Sequence, residues 1–134
     1  MRSHIISTKN RRHWQGIPGI ERTPSGRLWS VFYTGGPKEP HPDNAILLTT
    51  SDDDGVTWSE PAVVVDPPGP TRAYDPTLWR DPAGRLRLIY NQADLTKREF
   101  GVSTVTLDPD DGPDASARHY PRHLELDVAL PLRM

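Results

Sequence analysis

Apolar positions in this chain come in short runs broken by proline, glycine and acidic clusters, and no helical periodicity survives for three turns. Ile17 to Thr23 is a mostly apolar stretch that predicts a first strand, and Pro24-Ser25-Gly26-Arg27 after it has the chemistry of a tight turn. Leu28 to Thr34 (LWSVFYT) is aromatic and β-branched, the composition of a buried second strand. Gly35 to Asn44 (GGPKEPHPDN) holds three prolines and two glycines, which predicts a loop long enough to carry function. Ala45 to Thr50 predicts a third strand. Ser51 to Trp58 (SDDDGVTW) reads as a turn, and Ser59 to Asp66 as a fourth strand whose early Pro61 suits a sheet edge.

The pattern then recurs. Pro18, Arg22, Pro24, Gly26, Arg27 and Leu28 return as Pro76, Arg80, Pro82, Gly84, Arg85 and Leu86, at a constant spacing of 58 residues (76 minus 18, 84 minus 26). A fixed period of this length built from short strands is the signature of propeller blades rather than of a sandwich. In the second unit Tyr74 to Asp81 and Leu86 to Gln92 are the expected first two strands, Ala93 to Glu99 a loop and Phe100 to Leu107 the third strand. Asp108 to Ala115 is the expected turn, and Arg118 to Leu126 the fourth strand. The predicted organisation is therefore a polar segment over 1–13, a first blade over 14–66, a second over 67–127, and the start of a truncated third over 128–134. The expected fold is all-β: about two four-stranded antiparallel blades of an incomplete ring. Two blades bury one mutual surface and expose two others, which predicts self-association through the exposed faces.

Composition narrows the function classes. With 134 residues and a formal net charge of -2, the chain fits one domain and lacks the positive field that nucleic acid or an anionic membrane surface requires. The absence of cysteine removes disulfides, thiolate nucleophiles and thiolate metal sites. Met1 to Arg12 has no apolar signal-peptide core and no run approaches the roughly 20 apolar residues of a membrane helix, so no export signal is expected in the chain and the cytoplasm is the default compartment.

Ser51, Asp53, Gly55, Thr57 and Trp58 fit S-x-D-x-G-x-T-W at every fixed position. Asp53 is placed to accept hydrogen bonds from free backbone N–H groups, Gly55 to take a positive φ, Thr57 to tie the hairpin and Trp58 to plug the gap between adjacent sheets. These are structural roles. The motif resembles the Asp box, or BNR repeat, of the sialidase (neuraminidase) superfamily, and Ile17-Pro18-Gly19-Ile20 ahead of a P-x-G turn is similar to the start of a first sialidase blade. Asp110-Asp111-Gly112-Pro113-Asp114 is at most a degenerate second box. The likeness runs from Trp14 to about Leu126 and implies the opening portion of a six-bladed propeller of the exo-α-sialidase, glycoside hydrolase type.

Parity sorts the loops. In a four-stranded meander the first and third connections share one end, so the segments 35–44, 67–73 and 93–99 fall together at the end away from the Asp box, where the resemblance also places a substrate site. Family sialidases set an arginine cluster against the substrate carboxylate, a loop aspartate as acid/base, and a tyrosine nucleophile paired with a glutamate. The family's first arginine stands directly before Ile-Pro, a position held by Gly16, with Arg11 and Arg12 nearby but out of register, so sialic acid itself is not implied as substrate. Asp43 is the candidate acid/base by its place ahead of the third strand, and Glu39 the second candidate. Arg72, Asp75, Asn91 and Gln92 are candidate ligand-binding residues, with His41 a further possible contact. The nucleophile and remaining arginines belong to later blades, so the chain is expected to be inactive alone. The alternative is an Asp-box propeller that binds glycans or proteins without catalysis, or a truncated product with no function of its own.

No cofactor or metal is expected. His119 and His123 have helical ligand spacing, but Pro121 and the strand reading remove the helix, and Gly112-Pro113 interrupts the order an EF-hand needs among Asp108, Asp110, Asp111 and Asp114.

Overall fold

A computed structural model of the chain describes residues 3–107. The expected turn over 108–115, the strand over 118–126, the start of a third unit, the degenerate box and the His119/His123 pair lie outside the described residues.

Among the described residues seven strands, β1 (Gln15–Arg22), β2 (Leu28–Thr34), β3 (Ala45–Ser51), β4 (Ala62–Val65), β5 (Thr71–Arg80), β6 (Leu86–Asp94) and β7 (Glu99–Leu107), make up the regular structure. They form two antiparallel meanders, a sheet of four in the order β1-β2-β3-β4 and a sheet of three in the order β5-β6-β7. The all-β expectation holds, and no described helix is long and apolar enough to cross a membrane.

The sequence repeat is a repeat of register. Gln15 pairs with Thr34, Gly16 with Tyr33 and Gly19 with Val31. Shifted by 58 residues, Ala73 pairs with Gln92, Tyr74 with Asn91 and Thr77 with Ile89. Both ladders skip two residues against one, Ile17-Pro18 opposite Phe32 and Asp75-Pro76 opposite Tyr90, which is a β-bulge. Proline fits such a bulge because it has no N–H to leave unpaired. The following turns also match: Gly26 N donates to Thr23 O at 2.8 Å, as Gly84 N does to Asp81 O at 2.8 Å.

The two units part company beyond β2 and β6. The first hairpin stops pairing at Thr34 and Ala45 and opens into a loop over 35–44, whereas the second continues through Ala93–Phe100 and Asp94–Glu99. Asp94 Oδ1 closes that hairpin by accepting Thr96 N at 2.9 Å and Lys97 N at 3.0 Å. The loop expected over 93–99 is thus reduced to residues 95–98. Likewise β5 begins at Thr71, so Arg72 and Ala73 are strand residues rather than part of the link between units. The expected fourth strand is trimmed to Ala62–Val65, although Ser59 N still reaches Thr50 O at 2.8 Å.

The core lies between the sheets. Trp29, Val31, Tyr33, Ile46, Leu48, Val64 and Val65 of the first meet Ala73, Leu78, Leu86, Leu88, Tyr90, Val105 and Leu107 of the second. Each large aliphatic side chain buried there contributes about 2 kcal/mol of hydrophobic stabilisation. The first strands of the two sheets, β1 and β5, approach so closely at Gly19 that a Cβ would lie 3.2 Å from Val31 Cγ2 and 3.3 Å from the Thr77 Cα. The opposite face of the first sheet is covered by the N-terminal segment, where the Arg12 guanidinium lies 5.4 Å from the Phe32 ring centroid.

Candidate functional site

One end of the sheets is held by the S-x-D-x-G-x-T-W turn over 51–58. Asp53 Oδ1 accepts the Thr57 N–H at 2.8 Å and the Ser51 hydroxyl at 2.9 Å, while Asp53 Oδ2 accepts the Thr57 hydroxyl at 2.5 Å. Ser51 Oγ in turn accepts the Gly55 N–H at 2.9 Å, and Gly55 has φ of 84°. The Thr57 bonds hold the Asp53 carboxyl well below the usual range, at about 2. The neighbouring aspartates anchor the turn to the β1–β2 connection: Asp52 Oδ1 lies 2.7 Å from Arg27 Nε, and Asp54 pairs with Arg22. Trp58 departs from its expected role. It is half-buried over its own turn, with Nε1–H donating to Gly55 O at 3.1 Å, and does not belong to the core between the sheets.

The other end gathers the longer connections, as parity predicts. The loop 35–44 is pinched at its base, where a Cβ on Gly35 would stand 2.0 Å from the Asp43 carbonyl oxygen. Asn44, fully buried, fastens it: Nδ2 donates to Gly35 O at 2.8 Å and Lys38 O at 3.2 Å, and Oδ1 accepts His41 N at 3.0 Å. Asn44 O accepts Ala73 N at 3.0 Å, which ties the loop to β5, and Leu95 N donates to Pro70 O at 3.1 Å, which ties the link over 66–70 to the β6–β7 turn.

From this framework a polar and aromatic cluster assembles across both sheets. Arg72 donates from Nη1 to Asn44 Oδ1 at 3.1 Å, its guanidinium carbon stacks 3.7 Å from the Tyr74 ring centroid, and Nη2 lies 4.0 Å from Glu39 Oε2. The Tyr33 hydroxyl donates to the same Glu39 oxygen. Tyr33 and Tyr74 rings lie 6.4 Å apart, and Trp14 meets Tyr33 edge-on at 5.0 Å. Burial, then the hydrogen bond and charge of Glu39, push the Tyr33 phenol far above its ordinary pKa, so it serves as a neutral donor. Burial raises Tyr74 as well, opposed by Arg72.

The candidate residues meet this cluster unevenly. Glu39 and Arg72 are in it. Arg72, however, is only 7% exposed and already engaged on three sides, rather than a free clamp in a loop. Asp75 is exposed beside the two tyrosines, close enough for its charge to raise both. Asp43 turns outward with its side chain 71% exposed, Oδ2 lying 3.6 Å from His41 Nδ1. The Asp43 N–H donates to His41 Nδ1 at 3.2 Å, which assigns that nitrogen as the acceptor of the ring. Asn91 is half-exposed on β6, and Gln92 spends its amide on the Tyr90 hydroxyl at 3.1 Å. Arg12 belongs to the other face, donating to Gln15 Oε1 at 2.9 Å and Thr8 O at 2.6 Å.

Sequence reasoning passed over Trp14, Tyr33, Asn44 and Tyr74. The repeat carries a signal for one of them: Trp14 stands 58 residues before Arg72, at the same place in the first unit. Asn44 ends a proline-rich loop, where an amide side chain substitutes for missing backbone partners. Among the described residues no group of three or more histidine, aspartate or glutamate side chains is arranged to hold a metal ion. Comparison with known proteins returns no matching family model and no matching curated protein.

Proposed function

We propose that the two sheets are consecutive blades of a sialidase-like, Asp-box β-propeller, and that the end bearing the segments 35–44, 66–70 and 95–98 is its glycan-binding face. The observation that carries this reading is the cluster of Tyr33, Glu39, Arg72 and Tyr74, assembled from both sheets at the end away from the Asp box. Fixed polar groups beside aromatic rings are what sugar hydroxyls and ring faces require. The 58-residue repeat of register and the complete Asp-box hydrogen-bond set support the blade assignment.

Hydrolysis is the activity that the resemblance carries, with Asp43 or Glu39 as acid/base. Glycan binding without hydrolysis is the second reading, and one observation favours it: the candidate acid/base Asp43 turns outward with its side chain 71% exposed rather than into the cluster. Binding of the full chain to a glycan array, with sugar release from a panel of fluorogenic glycosides, tests both. Release that Asp43→Asn or Glu39→Gln abolishes establishes the hydrolase. Binding without release supports the glycan-binding face under either reading, since this chain alone is expected to be inactive, and absence of both removes the glycan face altogether.

A further inference from the structure

Arg72 carries a charge that its own chain has already answered. A guanidinium only 7% exposed needs a negative partner, because removing one member of a buried pair leaves an uncompensated charge. That partner does not come from the neighbouring strands. It comes from Glu39 in the 35–44 loop, a segment replaced in the second sheet by the tight turn over 95–98. The same Glu39 oxygen accepts the Tyr33 hydroxyl, so one carboxylate oxygen faces both a cation and a phenol donor. The Arg72–Glu39 separation of 4.0 Å is the outer limit of an ion pair, and a free carboxylate, unconstrained by a loop, is able to approach more closely and in the bidentate manner. Asp75, exposed beside the two tyrosines, adds negative charge nearby.

We infer that Glu39 is a built-in occupant of a carboxylate position formed by Arg72 and the Tyr33 hydroxyl, and that it sets the ligand charge at this face. Uncharged polyhydroxylated ligands are accepted, and carboxylate-bearing ones are excluded while Glu39 is in place. The identity of the ligand rests on the glycan-binding reading; the chemistry of the position does not.

Formate is the probe. Thermal unfolding of the full chain is followed against sodium formate, with sodium chloride at equal ionic strength as reference, for wild type, Glu39→Ala, Glu39→Gln and Asp43→Ala. Formate stabilises the two Glu39 variants with an apparent affinity at least about tenfold tighter than for wild type, while Asp43→Ala behaves as wild type. A Glu39 variant that folds only when formate is present counts in favour. Equal responses in all four proteins, a gain in Asp43→Ala matching that in Glu39→Ala, or Glu39 variants that stay unfolded with formate present overturn the inference. If formate discriminates as expected but wild type binds no glycan, the carboxylate position stands and the glycan reading fails.

Discussion

Ile17 and Asp75 hold the same backbone position in two different sheets, with φ of 47° and 48°, each directly before a proline and each in a bulge opposite one aromatic residue. Aspartate visits left-handed backbone readily, whereas a β-branched residue there crowds its own carbonyl. Ile17 is also half-exposed, so little burial offsets that strain. Replacing Ile17 by Asn should therefore stabilise the protein by about 1 kcal/mol, and Asp75→Ile should cost about the same. Urea midpoints at unchanged slope are the measurement.

Two glycines with positive φ separate steric from conformational cost. Gly26 has φ of 92° and open space where a Cβ would lie, so Gly26→Ala should cost only the backbone penalty, about 1 kcal/mol. Gly35 has φ of 110° and the Asp43 carbonyl oxygen 2.0 Å from the same point. Gly35→Ala should cost at least about 3 kcal/mol and open the loop, seen as faster proteolysis within 35–44 than in Gly26→Ala.

Asn44 is the fastener of the candidate site, and its four hydrogen bonds have no replacement in a shorter side chain. Asn44→Ala should destabilise the chain by roughly 3 kcal/mol by leaving buried donors and acceptors unmet. Arg72 loses its amide partner at the same time. Thermal unfolding gives the stability change, and loss of the formate response in an Asn44→Ala, Glu39→Ala double variant reports the effect on Arg72.

Acid should act on the 51–58 turn through a known sign. The folded carboxyl of Asp53 sits at about 2 against an ordinary 3.8, so the folded state binds fewer protons between these values. Its contribution is present above about pH 4 and is lost as pH falls through about 2. Asp53→Asn should be less stable than wild type by a constant margin from neutral pH to about pH 4, and the margin should close toward pH 2. Asp81 and Asp94 are also depressed, Asp81 by the Arg85 and Arg87 groups that outweigh its burial and Asp94 by Thr96 and Lys97, but both are common to the two proteins and cancel in the difference.

The features legible in the sequence were those whose partners lie close along the chain. The S-x-D-x-G-x-T-W turn closes its hydrogen bonds between Ser51 and Thr57, so its pattern carries its geometry. The strands declared themselves by composition, and the spacing of 58 residues matched the ladder pair for pair. Misplaced features depended on distant contacts. Pro67-Pro68-Gly69-Pro70 suggested a link running on through Ala73, yet the strand begins at Thr71, where Arg72 buries its side chain against Asn44, 28 residues earlier. Trp58 looked like a plug between sheets, but its indole N–H donates to Gly55 O within its own turn.

By itself, then, the amino-acid order determined the strand pattern, the turn chemistry and the end at which the long connections meet, because strand composition, turn residues and loop parity follow from the chain's local stereochemistry. Only the tertiary structure decided which polar groups are spent and which are free. Arg72 meets Glu39, Tyr74 and Asn44 because two sheets pack face to face and a loop folds across their edge, and such a meeting depends on packing in space rather than on any spacing along the chain.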